Sequence, residues 1–479
     1  MANPKYRRLV TDLFLYGLGT LGSKLIVFLL LPLYTRTLST EDYGFIELVN
    51  TITVIAVPLI GLQISDALYR HLLDLQDRLE EKTRYITTGL ALATCGALLS
   101  ILVYLAWKSA FGASHLLQNR DGLILLLVLA SLAAAFCKQV IRGLGNTKAF
   151  VLSDVVTTAG TAAGAVYFLA VERLGIDGFL YSLLLSQTAA LLLLIFWGRL
   201  WKQLSPSAVR WTYAKQLLSY SIPLLPNLMA WWVIQAVDRY LIYAFEGAGE
   251  VGLYAVGMKL ASIVALMTTV FHMAWQPGAI QMYAEPQKDR LFSDVFQTYY
   301  VMLCTGIAVL LLLLKPLLVV MAAPDYYTSW KYASVLLAGS FFVGLSSFYG
   351  ITYMITKQTK GAFLSSVIGA AASIGLNLLL IPAIGSMGAA WANMGAFVIM
   401  WGVRILHTRT YLDIQMQPRL LGGNVALLLL LAVTHFLPSP EVFASGLRLV
   451  LMTCMLLLNR SRLKRLYRLL LGLRQKEAG

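Results

Sequence analysis

The chain has 479 residues, 58% hydrophobic and only 13% charged, with a mean hydropathy of +0.72 and a formal net charge of +15. Soluble domains are about one-quarter charged, so an ordinary soluble protein is excluded. The positive charge does not imply nucleic acid either, because it collects in one set of loops between apolar spans.

A bilayer crossing takes roughly 20 apolar residues. Fourteen spans are predicted, at about 10–34, 44–68, 85–107, 121–141, 150–171, 178–198, 217–243, 252–277, 295–316, 331–355, 362–384, 388–406, 419–437 and 443–459. The expected fold class is therefore all-α integral membrane, with about 14 transmembrane helices. Span 1 is too long for a cleavable signal, carries Lys24 and lacks a small-residue cleavage site. With the N-terminus placed inside, and charges within three residues of a span end counted with the adjoining loop, inner loops and tails hold 28 of the 38 Lys and Arg and outer loops hold 6, while Lys24, Arg239, Lys259 and Arg448 fall within spans. This asymmetry follows the positive-inside rule and predicts a multi-pass protein of the cytoplasmic membrane with both termini in the cytoplasm.

Taken along the chain, the costly polar positions come first in span 1, where Lys24 lies near the middle; Arg36 follows just past its outer end. Intramembrane charge costs a few kcal/mol and usually faces a cavity or a partner. Lys24 reads as a cavity cation attracting an anionic ligand, or as half of a buried pair with Glu47 or Asp154. Glu47, near the outer end of span 2, is an acid suited to proton or sodium coupling, or a helix-end cap. Asp66 at the inner end is a second acid of that kind, but reads rather as a helix-end cap or a salt bridge with Arg70, at helical spacing. Asp154, one turn into span 5, balances a helix dipole.

In span 7, Asp238-Arg239 reads as a self-satisfying structural pair near the outer end, and Pro223 and Pro226 open the span as either a hinge or a plain helix start. Lys259, about two turns into span 8, faces a cavity or snorkels. Trp231, Trp232 and Trp275 read as packing or interface residues before sugar platforms. The four cysteines, all in spans or at a span end, read as small buried hydrophobes. The tail from Arg460 to Lys476 alternates basic and apolar residues, suiting an anionic membrane surface. The five histidines form no metal-binding spacing, no Walker A sequence occurs, and no cofactor, metal or catalytic group is called for.

The first twelve spans read as one six-span unit used twice, about 210 residues apart. Thr147-Lys148-Ala149-Phe150-Val151-Leu152-Ser153-Asp154-Val155 aligns with Thr359-Lys360-Gly361-Ala362-Phe363-Leu364-Ser365-Ser366-Val367, and Gly175-Ile176-Asp177-Gly178 with Gly385-Ser386-Met387-Gly388. An even number of crossings predicts a parallel repeat: lobes at 1–200 and 201–409 related by a pseudo-twofold along the membrane normal, then two extra helices and a basic tail at 410–479. Short outer loops leave no room for a catalytic domain, so the pattern points to transport.

The segments Leu31-Pro32-Leu33-Tyr34-Thr35-Arg36-Thr37-Leu38-Ser39-Thr40-Glu41-Asp42-Tyr43-Gly44, Asp238-Arg239-Tyr240-Leu241, Glu250-Val251-Gly252-Leu253-Tyr254-Ala255 and Trp275-Gln276-Pro277 carry a resemblance. In combination, the chain resembles the lipid-linked oligosaccharide (O-antigen and polysaccharide) flippases of the multidrug/oligosaccharidyl-lipid/polysaccharide exporter superfamily. The resemblance implies alternating access and a cargo of undecaprenyl-pyrophosphate-linked glycan, moved from the inner to the outer leaflet for polysaccharide or lipopolysaccharide biosynthesis. Lys24, Lys259, Arg239 and Arg36 are then the cations expected to meet the cargo, and Glu47 the acid expected to couple an ion. Further expected partners are a proton or sodium ion and polysaccharide assembly proteins, with a functional monomer. The arginine-rich first span of the lipid II flippase branch is absent, which leaves a cation-coupled multidrug antiporter as the closer rival. A membrane polymerase or ligase of the same pathway is the rival from another class.

Overall fold

In hydrocarbon every backbone N–H and C=O must be satisfied within its own segment, so apolar runs of this length have to be helices. The computed structural model describes residues 22, 26, 28–75, 78–111, 119–283, 285–356, 358–438 and 440–464, and no strand occurs among them. Among the described residues, thirteen helices are long and apolar enough to cross a membrane, and they correspond to predicted spans 2–14. Span 1 lies largely outside the described residues. The chain is an all-α, multi-pass membrane protein, and it divides into two compact units, 1–229 and 230–479.

The first unit contains α1 (Leu31–Thr37), α2 (Thr40–Ile60), α3 (Ile64–Asp74), α4 (Leu79–Phe111), α5 (Asp121–Gly143), α6 (Thr147–Ala165), α7 (Gly175–Trp197) and α8 (Trp211–Ser221). The α1–α2 corner is built by its own sequence. Ser39 accepts the Asp42 N–H at 3.1 Å while Asp42 accepts the Ser39 N–H at 3.4 Å, a reciprocal cap. Tyr34 then packs edge-on against Phe179 of α7, with ring centroids 5.2 Å apart. The predicted second span, drawn to residue 68, is corrected here. The helix stops at Ile60, Leu62 and Gln63 adopt left-handed conformations, and the chain restarts as α3. Helix α3 is amphipathic: Ile64, Ala67, Leu68 and Leu72 are buried while Arg70 is exposed, and it packs against α4, α5 and α8.

A 3-10 turn at Ile222–Leu224, set by Pro223, leads into α9 (Leu225–Glu246), whose first turn holds the boundary between units. The second unit continues with α10 (Ala248–Met282), α11 (Lys288–Leu312), α12 (Leu314–Met321), α13 (Trp330–Ile355), α14 (Thr359–Ile384), α15 (Ser386–Thr408), α16 (Pro418–Val433) and α17 (Glu441–Leu458). Helix α13 is its centre: 72% of the apolar window there is buried, against 11% for α4 in the first unit. Trp275 stacks on Phe348 of α13 at 6.1 Å and meets Phe292 edge-on at 5.2 Å, so it is a packing residue, as its sequence suggests.

The aligned segments share local conformation. Helices α6 and α14 begin at the matched Thr147 and Thr359, and Gly175 (φ +57) and Gly385 (φ +68) open α7 and α15 in a left-handed geometry that favours glycine. The cysteines need a correction. Cys304 is buried and Cys137 intermediate, but Cys95 and Cys454 are exposed on α4 and α17, because the outside of a membrane helix is as apolar as its inside.

Candidate functional site

Lys24, the first cation singled out by the sequence, lies outside the described residues. The others divide between the units. Arg36 is exposed on the last turn of α1, and Glu47 is buried on α2 at 6% exposure. Arg239 sits on α9 and Lys259, of intermediate exposure, on α10 of the second unit.

Asp238 is 1% exposed and fully enlisted. The Tyr254 hydroxyl of α10 donates to its Oδ2 at 2.7 Å, the Arg239 N–H donates to Oδ1 at 2.9 Å, and the Arg239 guanidinium stands 3.6 Å from Oδ1 while donating to the Gln235 carbonyl at 2.5 Å. The two motif segments therefore meet: a carboxylate of the first is held by a tyrosine of the second. Nearby, Tyr332 of α13 donates to Glu250, and Glu246 accepts the Ser386 N–H at 2.7 Å as well as its hydroxyl at the start of α15. The motif thus ties α9, α10, α13 and α15 together.

The acids of the first unit do not pair as their spacing implies. Arg70 bonds Asp74 at 2.5 Å, one helical turn onward, and Asp66 instead accepts from Gln63 at 3.1 Å and Gln139 at 2.8 Å. The reason is the break at Gly61, which puts Asp66 in the first turn of α3, turned toward α5. Asp154 of α6 holds Lys138 of α5 in an ion pair. Outside the spans, the Asp177 carboxylate grips Arg120 with two bonds of 2.5 and 3.1 Å and holds that guanidinium above its usual pKa.

Two buried or half-buried cations escape a loop count. Lys138 and Arg404 each lie within a turn or two of a helix end and read as loop charges, yet both belong to helices. Arg404 on α15 is 3% exposed and is held by neutral groups: the Ser346 carbonyl at 2.7 Å, the Ser365 hydroxyl at 3.2 Å and the Trp231 ring at 5.8 Å. The signal was present, since an arginine inside an apolar window is costly wherever the span is drawn. Lys138, Asp66, Gln139, Arg142 and Phe150 line part of a cavity of about 380 Å³ in the first unit, together with apolar residues such as Val57, Leu132 and Ala135. No cluster of three or more His, Cys, Asp or Glu suited to a metal occurs among the described residues.

A family model described as polysaccharide biosynthesis protein matches residues 9–283, more than half of the chain, and the chain belongs to that family. Protein 1 of the Lsg locus of Haemophilus influenzae is 21% identical over 359 residues, covering 74% of this chain and 82% of that protein. Among solved structures, the lipid II flippase MurJ in an inward closed conformation is similar over 96% of this chain and 100% of that chain, with a TM-score of 0.70 at 15% identity. An inward-facing multidrug resistance MATE family transporter of the MOP superfamily is similar over 81% and 94%, with a TM-score of 0.64 at 13% identity. At these identities the likeness is one of fold.

Proposed function

We propose that this chain is a flippase that moves undecaprenyl-pyrophosphate-linked oligosaccharide from the inner to the outer leaflet of the cytoplasmic membrane by alternating access. The observation that carries the reading is the presence of basic groups at membrane depth, Lys24 and Lys259, in a chain of the polysaccharide biosynthesis family. A charged pyrophosphate and a polar glycan cannot cross hydrocarbon unaided. A basic, wet passage lowers that barrier for an anion and raises it for a cationic drug, which disfavours an antiporter of the same fold. Arg36 is the further cation assigned to the cargo. The protein works on no covalent bond; it lowers a transfer barrier.

No Walker A sequence occurs, so net movement is assigned to an ion gradient or to consumption of cargo outside. Glu47, an acid buried on α2, is the group assigned to coupling. The test is transbilayer movement of lipid-linked glycan in vesicles containing the purified full-length protein. An imposed proton or sodium gradient is expected to drive it, and Glu47→Gln to abolish the response. Gradient-independent movement removes the coupling role and leaves a passive carrier. ATP-dependent movement by the chain alone, or no movement at all, overturns the flippase.

A further inference from the structure

We propose that an apolar groove of the first unit, together with the basic turn at one end of it, binds an anionic phospholipid. Its occupant is a lipid of the surrounding membrane and not the cargo. The groove runs along α5, with α4 and α7 as its walls. Ala93 and Ala97 of α4 and Ala133 of α5 leave the room, and Phe136 and Ile195 supply apolar sides. Its volume is about 390 Å³. At roughly 30 Å³ for each methylene-sized group, the share of a water molecule, that space holds about thirteen such groups. It therefore takes most of one fatty acyl chain and only a small part of a polyisoprenoid tail.

The basic end is built by the chain that leaves α7. Gly198 has no room for a side chain: a Cβ there would lie 2.2 Å from Ile141 Cδ1 and 2.3 Å from the Leu194 carbonyl oxygen. Arg199 then takes a left-handed conformation at φ 50°. A 3-10 turn at Leu200–Gln203 follows; it buries Leu200 and lays Trp201 and Leu204 along the groove. The turn is pinned to α4, because Thr87 Oγ1 accepts the Ser205 N–H at 3.1 Å and Thr88 Oγ1 accepts the Arg210 N–H at 3.3 Å. On this fixed segment Arg199, Lys202 and Arg210 are exposed, as are Trp197, Trp201 and Trp211. No Asp or Glu occurs in the sequence between Asp177 and Asp238. The acids at the start of α4 are engaged elsewhere, Glu80 with Arg84 and Glu81 with Arg78.

Exposed tryptophans beside lysine and arginine are the composition of a membrane–water interface. The turn thus stands at headgroup level, and the groove extends from it along α4 from Ile86 to Ala97. A soluble anion would meet the cations and leave the groove empty. A neutral lipid would fill the groove, but an acyl chain gains little from one apolar surface over another, and its headgroup brings the cations no net charge. An anionic phospholipid satisfies both parts. Each cation at the headgroup favours it by about fivefold, so the selectivity resides in the turn and the shape in the groove.

The experiment titrates the full-length protein in detergent with palmitoyl-oleoyl phosphatidylglycerol and, separately, with the phosphatidylethanolamine of the same chains. Bound lipids are counted by native mass spectrometry. At least one phosphatidylglycerol is expected to bind about tenfold more tightly than phosphatidylethanolamine. Lys202→Gln and Arg199→Asn, the second suited to the left-handed backbone, should each cut that preference about fivefold. Thr94, exposed on the groove wall, gives the other arm: Thr94→Phe fills the groove and should weaken both lipids. If Thr94→Phe is not monodisperse, the exposed Lys202→Gln and Arg199→Asn decide alone. Equal binding of the two lipids, or a preference unchanged in both turn variants, overturns the site. Glycerol 3-phosphate, the headgroup without chains, is expected not to displace phosphatidylglycerol, and displacement would remove the groove from the site. Displacement by undecaprenyl phosphate that depends on Lys202 would give the groove to an isoprenoid lipid and overturn the phospholipid assignment.

Discussion

Lys259 and Tyr254 lie within a turn or two of each other on α10, yet substitutions there are expected to fail in different ways. Lys259 is of intermediate exposure, and its proposed partner is the cargo. Lys259→Ala should leave the protein in the membrane and reduce the appearance of glycan on the outer leaflet about tenfold, the equivalent of one charge-assisted contact. Lys259→Arg should retain most export, and normal export by the alanine variant at normal levels would remove Lys259 from the site. Tyr254 faces inward to the buried Asp238 carboxylate. Tyr254→Phe takes away a donor and leaves the charge buried, a loss of about 1.5–3 kcal/mol. A lowered thermal midpoint of the purified protein is expected. An unchanged midpoint would mean that Asp238 finds another donor.

Between helices, polar pairs act as clasps because apolar faces in a bilayer give little preference for one partner over another. Asn424 of α16 and Asn459, at the end of α17, exchange two side-chain hydrogen bonds of 3.1 and 2.6 Å, and neither is exposed. Asn424→Leu leaves Asn459 wanting a partner and is expected to destabilise by about 1–3 kcal/mol. Adding Asn459→Leu should restore part of that loss, and thermal midpoints of both variants decide it. A second clasp joins α3, α4 and α8. His71 stacks on Tyr85 at 5.0 Å, Tyr213 meets Tyr85 edge-on at 4.6 Å, and the Tyr85 hydroxyl donates to Gln216. Burial pushes the His71 pKa below its ordinary value. The unfolded chain then binds the proton more readily, so the contribution of His71 to stability is complete above about pH 6.5 and is lost as pH falls toward the folded value. The thermal midpoint should therefore drop between about pH 7.5 and 5.5 in the wild type and drop less in His71→Phe. Equal slopes would remove His71 from the clasp.

For the whole molecule, the charge bias of the loops proposes both termini in the cytoplasm. Single cysteines introduced near residue 5 and near residue 476, in a chain freed of its own four, should react with a membrane-impermeant maleimide only after the cells are opened. Labelling of either terminus in intact cells would reverse the topology. The duplicated organisation is likewise proposed at this scale, with residues 147–155 expected to fall on 359–367 when the lobes are superposed along the membrane normal in a map of the protein in lipid.

Hydrophobic length and punctuation suffice to read the helices. Runs near 20 apolar residues leave no other solution in hydrocarbon, and Ser39, Pro223, Gly175 and Gly385 mark boundaries by local chemistry alone. The family was also legible, because its motif segments carry corners and clasps whose residues lie close in the chain: Ser39 with Asp42, and Asp238 with Tyr254. The break at Gly61 was not, since the apolar run continues across it and the left-handed positions fall on Leu62 and Gln63, not on the glycine beside them. Nor were the partners of the buried polar groups. Asp66 meets Gln139 from 73 positions away, and Arg404 bonds Ser346 and Ser365 on two other helices. A membrane helix is apolar on every side, so its sequence fixes its length but hardly its rotation, and rotation is what brings one polar side chain to another.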